Sequence, residues 1–364
     1  MQSLLNRSIG LLLGLSLLSF SYSSPAAQQD SDVHPPLAWL VNQDDHPLVS
    51  RRLVMSSGVD GEVQTVLEPL LYCFDAADHQ RLMRAGERLI LSGQVSNSRS
   101  APNVSMPLQL LDVDSGDLQL LQGNSAFFAV SPDGTLLLEW NHFQLDVWRL
   151  PQADGSRAEV IRRLDINELG NAQVSTALWM PQSDSFLVQI SNYKDLGLEP
   201  GIWEFPLEGE PLFLGFLFGR MLCVLDSQTL LHSIPNPRDK YHARRLMRSH
   251  FHLSSMLPGE FRSEELHHDL MYTDAIAARP NSADFAYARA SDKSLVLHSE
   301  QDGAVKETVM WQSSRSIEDL SWSADGRWLC LTDRTAERQR HIIVINCDTG
   351  DTQDLGPGLR PIFL

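Results

Sequence analysis

Positive charge is what this chain has too little of: 29 Lys and Arg stand against 46 Asp and Glu in 364 residues, a formal charge of −17. Neutralising phosphates takes a positive field, so nucleic acid and anionic membrane are excluded as general partners. Cysteine is scarce as well. Four are present and none precedes Cys73, which excludes a lipid anchor built on a cysteine directly after an N-terminal apolar segment. No Cys-x-x-Cys or Cys/His spacing points to zinc, and no motif calls for a cofactor. The chain also lacks a Gly-x-Ser-x-Gly elbow, a His-Glu-x-x-His pair, a Gly-rich phosphate loop and a dinucleotide fingerprint. The most continuous apolar run is Ile9 to Phe20, about a dozen residues against the ~20 that cross a bilayer as a helix.

That run reads as a targeting segment. Arg7 supplies a positive start and Ser24-Pro25-Ala26-Ala27 supplies small residues for cleavage, so 1–26 is expected to be a signal peptide and 27–36 a linker. The mature chain would carry no membrane span and would be periplasmic or secreted. Such a compartment permits disulfides. A hairpin centred near Ala336 or Glu337 would nevertheless put Cys330 opposite Val344, three residues from Cys347, which argues against a bond between them.

What is abundant is repetition. Phe127-Phe128-Ala129-Val130-Ser131-Pro132-Asp133-Gly134-Thr135-Leu136-Leu137-Leu138 matches Leu320-Ser321-Trp322-Ser323-Ala324-Asp325-Gly326-Arg327-Trp328-Leu329-Cys330-Leu331, with weaker copies over 178–188 and 277–287. A second unit, Asp112-Val113-Asp114-Ser115-Gly116-Asp117, recurs as Asn346-Cys347-Asp348-Thr349-Gly350-Asp351. Each is an apolar run, a turn of Pro, Asp, Gly or Ser, and a second apolar run, the pattern of an antiparallel hairpin. Two hairpins in a period of about 40 to 50 residues make a four-stranded blade, and arrayed blades make an all-β propeller.

The Ser-Pro-Asp-Gly and Asp-x-x-Thr-Gly turns resemble those of the WD40-like, TolB-type propellers of bacterial envelopes, over most of 88–355. The resemblance implies a propeller fold and an envelope setting; it does not extend to the α/β domain that precedes the TolB propeller. The tandem hairpins place blades near 37–67, 70–122, 126–164, 174–214, 215–250, 274–310 and 317–355, seven in all, with six as the alternative count. The first lacks an inner strand. Arg360-Pro361-Ile362-Phe363-Leu364 is expected to supply it and close the ring with the two ends of the chain.

The connections fall into short and long classes, and loops are where a rigid scaffold carries recognition. The long class includes 95–106, 191–201 and an insertion at 251–273, in which Ser263-Glu264-Glu265 followed by Leu266 and Leu270 predicts a short helix. Tyr193 and Lys194 on one loop, with His250, His252, His267 and His268 on the other, are therefore expected to frame one binding mouth. The expected function is a noncatalytic module that binds an envelope protein or glycan. The alternative is a propeller lyase or hydrolase whose site is assembled from scattered channel-mouth carboxylates and histidines. The basic run Arg238, Lys240, Arg244, Arg245 and Arg248 is expected on an outermost strand, guarding an edge.

Overall fold

A computed structural model describes residues 33–43, 50–58, 63–71, 82–92, 94–95, 108–121, 127–140, 144–152, 156–165, 172–192, 201–238, 243–251, 262–301 and 304–364. Among them there are strands and no helix. The first group is β1 (Leu37–Gln43), β2 (Ser50–Ser56) and β3 (Val63–Leu71). The second is β4 (Leu82–Ala85) and β5 (Arg88–Ser92), then, after a short β6 (Gln94–Val95) that pairs back onto β3, β7 (Leu108–Asp112) and β8 (Leu118–Leu120). The third is β9 (Phe127–Val130), β10 (Leu136–Trp140), β11 (Gln144–Arg149) and β12 (Glu159–Asp165). The fourth is β13 (Ala172–Trp179), β14 (Ser185–Asn192), β15 (Gly201–Pro206) and β16 (Leu212–Gly215). The fifth is β17 (Arg220–Asp226), β18 (Thr229–Pro235), β19 (Ala243–His250) and β20 (Arg262–Met271). The sixth is β21 (Ile276–Ala278), β22 (Phe285–Arg289), β23 (Ser294–Gln301) and β24 (Ala304–Gln312). The seventh is β25 (Ser316–Trp322), β26 (Trp328–Arg334), β27 (Arg340–Asn346) and β28 (Thr352–Pro357). Last comes β29 (Leu359–Phe363), which pairs antiparallel with β1 and completes the first group as its inner strand.

Within each group neighbouring strands pair antiparallel, and the innermost strands β29, β4, β9, β13, β17, β21 and β25 neighbour one another in a closed cycle. The fold is a β-propeller. Its core is divided accordingly: the described residues hold seven apolar clusters, one at each junction between successive groups, including the junction of the last with the first. A sheet covered on both faces needs apolar side chains at every position rather than at alternate ones. Leu136–Trp140 of β10 is accordingly buried throughout, as is all of β26 except Arg334. Outer strands have one covered face, and β24 is mostly exposed.

The closure follows the sequence expectation. Leu37 stands opposite Phe363 and Ala38 opposite Ile362, and the Leu364 amide donates to the Pro36 carbonyl at 2.9 Å. The Cys330–Val344 register is also as expected, and Cys223, Cys330 and Cys347 are free thiols. Cys73 lies outside the described residues.

Two expectations fail. Residues 262–271 are not a helix but strand β20, paired with β19 from Ala243↔Met271 to His250↔Arg262. The Leu266–Leu270 spacing was compatible with a helical stripe, but pairing to an existing sheet overrides such a local preference. The basic run is likewise not on an outermost strand: Arg244, Arg245 and Arg248 belong to β19, a third strand, while Lys240 lies outside the described residues. Their charge is absorbed locally, Arg244 by Asp274 at 3.2 Å, Arg245 by Glu265 at 3.1 Å and Arg248 by Glu264 at 3.4 Å.

Candidate functional site

Strand alternation gives the propeller two rims. Connections from first to second and from third to fourth strands lie on one, the turn rim; second-to-third and group-to-group connections lie on the other, the loop rim. On the turn rim the Ser-x-Asp-Gly repeat builds one structure twice. Ser131 Oγ donates to Asp133 at 2.5 Å and accepts the Leu136 amide at 2.9 Å; Ser323 does the same with Asp325 at 2.6 Å and the Trp328 amide at 2.9 Å. Gly134 and Gly326 take φ of 73° and 69°, where a side chain would be strained. Burial works to raise the Asp133 carboxyl, but bonds from Ser131, Thr135 and Ser183 outweigh it and hold the group below the ordinary carboxylate range. Ser183 belongs to the next group, so the same carboxylate region ties two turns together.

These turns surround a cavity of 790 Å³ walled by Pro132, Trp179, Pro181, Pro280, Ala283 and Ala324 among others. Among the described residues its charged lining is Asp226 and Arg279. Arg279 is engaged: its guanidinium donates to the Gly326 carbonyl at 2.9 Å, pairs with Asp284 at 3.4 Å and lies 5.5 Å from the Trp322 ring centre. The lining mixes prolines, alanines and Trp179 with Gln182, Ser227, Asn281 and Ser282, and among the described residues no histidine lines it.

The channel's other end is charged. A cavity of 420 Å³ on the loop rim is lined by Arg51, Glu318, Asp319, Arg340 and Arg360 with Tyr272 and Thr273. Its carboxylates are already matched: Glu318 pairs with Arg340 at 2.8 Å and Arg334 at 3.5 Å, and Asp319 with Arg360 at 3.3 Å. Asp319 and Arg360 both have positive φ, 44° and 55°, a strained backbone held by this pairing.

Tyr193, Lys194 and His252 lie outside the described residues. The described strand ends put Asn192 and Gly201 at the loop rim, and His250 and Arg262 at the turn rim. His250 ends β19, with Nδ1 3.3 Å from Thr229 Oγ1 and Nε2 3.9 Å from Glu264. His268 is exposed, and its carbonyl accepts a bond from Asn236 at 2.8 Å.

His267 alone finds chemistry, with partners the sequence reading missed. On the flank between the fifth and sixth groups its Nε2 lies 2.7 Å from Glu307 Oε1, and its ring stacks on Tyr287 with centres 4.9 Å apart. Tyr287 donates its hydroxyl to the same oxygen at 2.9 Å, and the fully buried ring of His298 lies face to face with Phe285 at 4.5 Å. Burial pushes the His267 imidazole below its ordinary value, with Glu307 opposing. Burial and the bond to Glu307 raise the Tyr287 phenol, so it stays protonated.

No family profile matches the chain, and no curated protein matches it in sequence. Solved structures do resemble it. The tricorn protease matches with a TM-score of 0.53 and 14% identity over 91% of this chain, which spans 36% of the tricorn chain. A chain of the mitotic checkpoint complex matches with a TM-score of 0.51 and 13% identity, over 80% of this chain and 83% of that one. TolB from Acinetobacter baumannii is more distant, at a TM-score of 0.41 and 14% identity over 90% of this chain and 82% of its own. At such identities the first two speak for the propeller fold alone.

Proposed function

We propose that this chain is an exported, noncatalytic binding propeller of the cell envelope, and that its turn-rim mouth receives an extended segment of a partner protein. The observation that carries this reading is the mixed lining of the 790 Å³ mouth: prolines, alanines and Trp179 stand beside Gln182, Asn281 and Ser282, with Arg279 already committed. Such a surface gains by covering apolar area, and its side-chain amides and hydroxyl can pair with a peptide backbone, which suits an extended polypeptide. Among the described residues its lining holds one carboxylate, Asp226, and no histidine to work with it as an acid and base pair. Export is supported by the N-terminal segment 1–26, with its basic start, short apolar run and small residues before the expected cut.

The mouth can be blocked without touching the core, because Ala283 and Ala324 are exposed on its rim. The experiment is quantitative affinity capture from an envelope fraction with three proteins: wild type, the double variant Ala283→Arg/Ala324→Arg, and a variant with 193–200 replaced by a Gly-Ser linker. A specific protein held by the wild type and the linker variant but released by the double variant supports the reading. Retention by the double variant moves recognition off this mouth, and saturable turnover of a substrate by the wild type replaces the reading with an enzymatic one. N-terminal sequencing of the envelope form tests export, with a start near residue 27 expected and an intact Met1 in a cytosolic fraction against it.

A further inference from the structure

The His267 cluster is independent of the mouth and has an unmet valence. His298 is 2% exposed, and its Nδ1 has no hydrogen-bond partner although it is buried. That atom faces Glu307 Oε1 at 3.6 Å, while its other nitrogen, Nε2, lies 3.4 Å from Glu300 Oε1. The tautomer with its proton on Nε2, toward Glu300, leaves a lone pair on Nδ1 pointing at another carboxylate. In that form a cation between Nδ1 and Glu307 relieves the meeting of two buried acceptors. His267 Nε2 completes the set, and the donor atoms of His267, His298 and Glu307 all lie within 4.8 Å of one another.

We propose that His267, His298 and Glu307 bind one divalent transition metal ion of the zinc type on the flank between the fifth and sixth strand groups. Two imidazoles and one carboxylate suit zinc, nickel, cobalt or copper, whereas calcium and magnesium demand oxygen ligands in larger number. Ligand bonds of ~2.0–2.2 Å place donors about 3 to 3.5 Å apart, so the present separations need only small side-chain adjustments. The surroundings favour a cation: Glu300 and Asp269 join Glu307 around the cluster against the guanidiniums of Arg248 and Arg289. Arg289 spends most of its charge on Asp292, which it grips at 2.7 and 3.0 Å, and lies farther, 3.7 Å, from Glu307. Tyr287, held protonated, serves as a donor to the ligating carboxylate rather than as a ligand. The side chains of His267 and Glu307 keep 24% and 28% of their surface exposed, which gives the ion an entry path and leaves a coordination position to water.

The test is titration of the untagged, chelator-treated mature chain with Co²⁺, read by visible absorption, followed by displacement with Zn²⁺. The expected result is one Co²⁺ per folded chain, released by Zn²⁺, with affinity for both ions falling ~10-fold or more in His267→Gln and in Glu307→Gln. His341→Gln serves as control, because His341 pairs with Asp354 at 3.0 Å on the seventh group and should leave binding unchanged. Circular dichroism checks each variant; should His267→Gln not fold, Glu307→Gln decides, since its site is a mostly exposed outer strand. Absence of saturable Co²⁺ or Zn²⁺ binding up to millimolar concentration overturns the proposal. So does binding that Glu307→Gln leaves intact.

Discussion

Gly134 and Gly116 both take φ of 73°, yet a side chain would meet different surroundings at the two positions. A Cβ on Gly134 would come within 2.4 Å of the Gly86 amide nitrogen in the neighbouring group, whereas nothing stands within 4 Å of one on Gly116. Gly116→Ala therefore pays the left-handed backbone alone, ~1–2 kcal/mol. Gly134→Ala adds a backbone collision and should cost roughly 2–5 kcal/mol in all. Paired urea unfolding curves check the ranking; equal losses would mean that the two groups part easily at the Gly86 contact.

His232 supplies a pH dependence. It is 3% exposed, its Nε2 lies 2.9 Å from Ser249 Oγ, and burial depresses its pKa from 6.5 to about 4. A depressed folded value means that the neutral ring is the native form, so this contribution to stability is complete above pH 6.5 and is lost as pH falls toward 4. The loss by pH 4.5 is on the order of 2–3 kcal/mol. Stability measured at pH 7 and 4.5 should fall less steeply in His232→Gln than in wild type. An unchanged slope would assign the acid limb to other groups.

The residue-level clues to the metal cluster were partly in the sequence. Asp302-Gly303 is a two-residue hairpin signal, and a turn there pairs Gln301 with Ala304 and hence His298 with Glu307, the register observed. His298 and Glu300, two apart in a strand, share a face by the same rule. His267 was singled out in the sequence as a binding residue but its partners were not, because it reaches them across a group junction that no local spacing encodes.

At the scale of elements, legibility followed burial. Second strands such as β10 and β26 are enclosed on both faces and read as continuous apolar runs, and the polar turns between hairpins repeat hydrogen bond for hydrogen bond. Outer strands were harder: β8, β20 and β28 each carry several exposed positions, so their composition matches loops or surface helices. That is why 262–271 was misread, and with it the setting of His267 and His268. Deleting 258–268 would remove most of β20 rather than trim a loop. The closing strand β29 makes a firmer prediction. Truncation after Gly358 strips the inner partner from β1 and takes Phe363, 2% exposed, out of the junction between the last and first groups. Phe363→Ala alone should cost ~3–5 kcal/mol. The truncation should go further and abolish cooperative unfolding, with the bared β1 edge driving self-association visible by size-exclusion chromatography. A monomeric truncation with an unshifted melting curve would show that closure is dispensable.

On the scale of the whole molecule, the ring has one seam without covalent continuity, bridged by the β29–β1 ladder and the bond from Leu364 to Pro36. The seam falls inside the first group, since all seven junctions between groups have their own apolar cluster. The position of the seam is therefore a matter of where the chain was cut, not of how the groups pack. A circular permutant tests this: residues 33 and 364 joined by a short Gly-Ser linker, with new ends opened in the β14–β15 connection. Because Pro36 and Leu364 already touch, the linker closes a short loop at small entropic cost. The permutant should keep the wild-type β-sheet circular dichroism and a single unfolding transition, since chain ends near one another in space tolerate relocation. The opened connection lies on the loop rim, so blocking by Arg at 283 and 324 should affect capture by the permutant as it does by the parent. Failure to fold would place a kinetic role in the native order of the strands, with the fourth group needing β14 and β15 joined before its neighbours can dock.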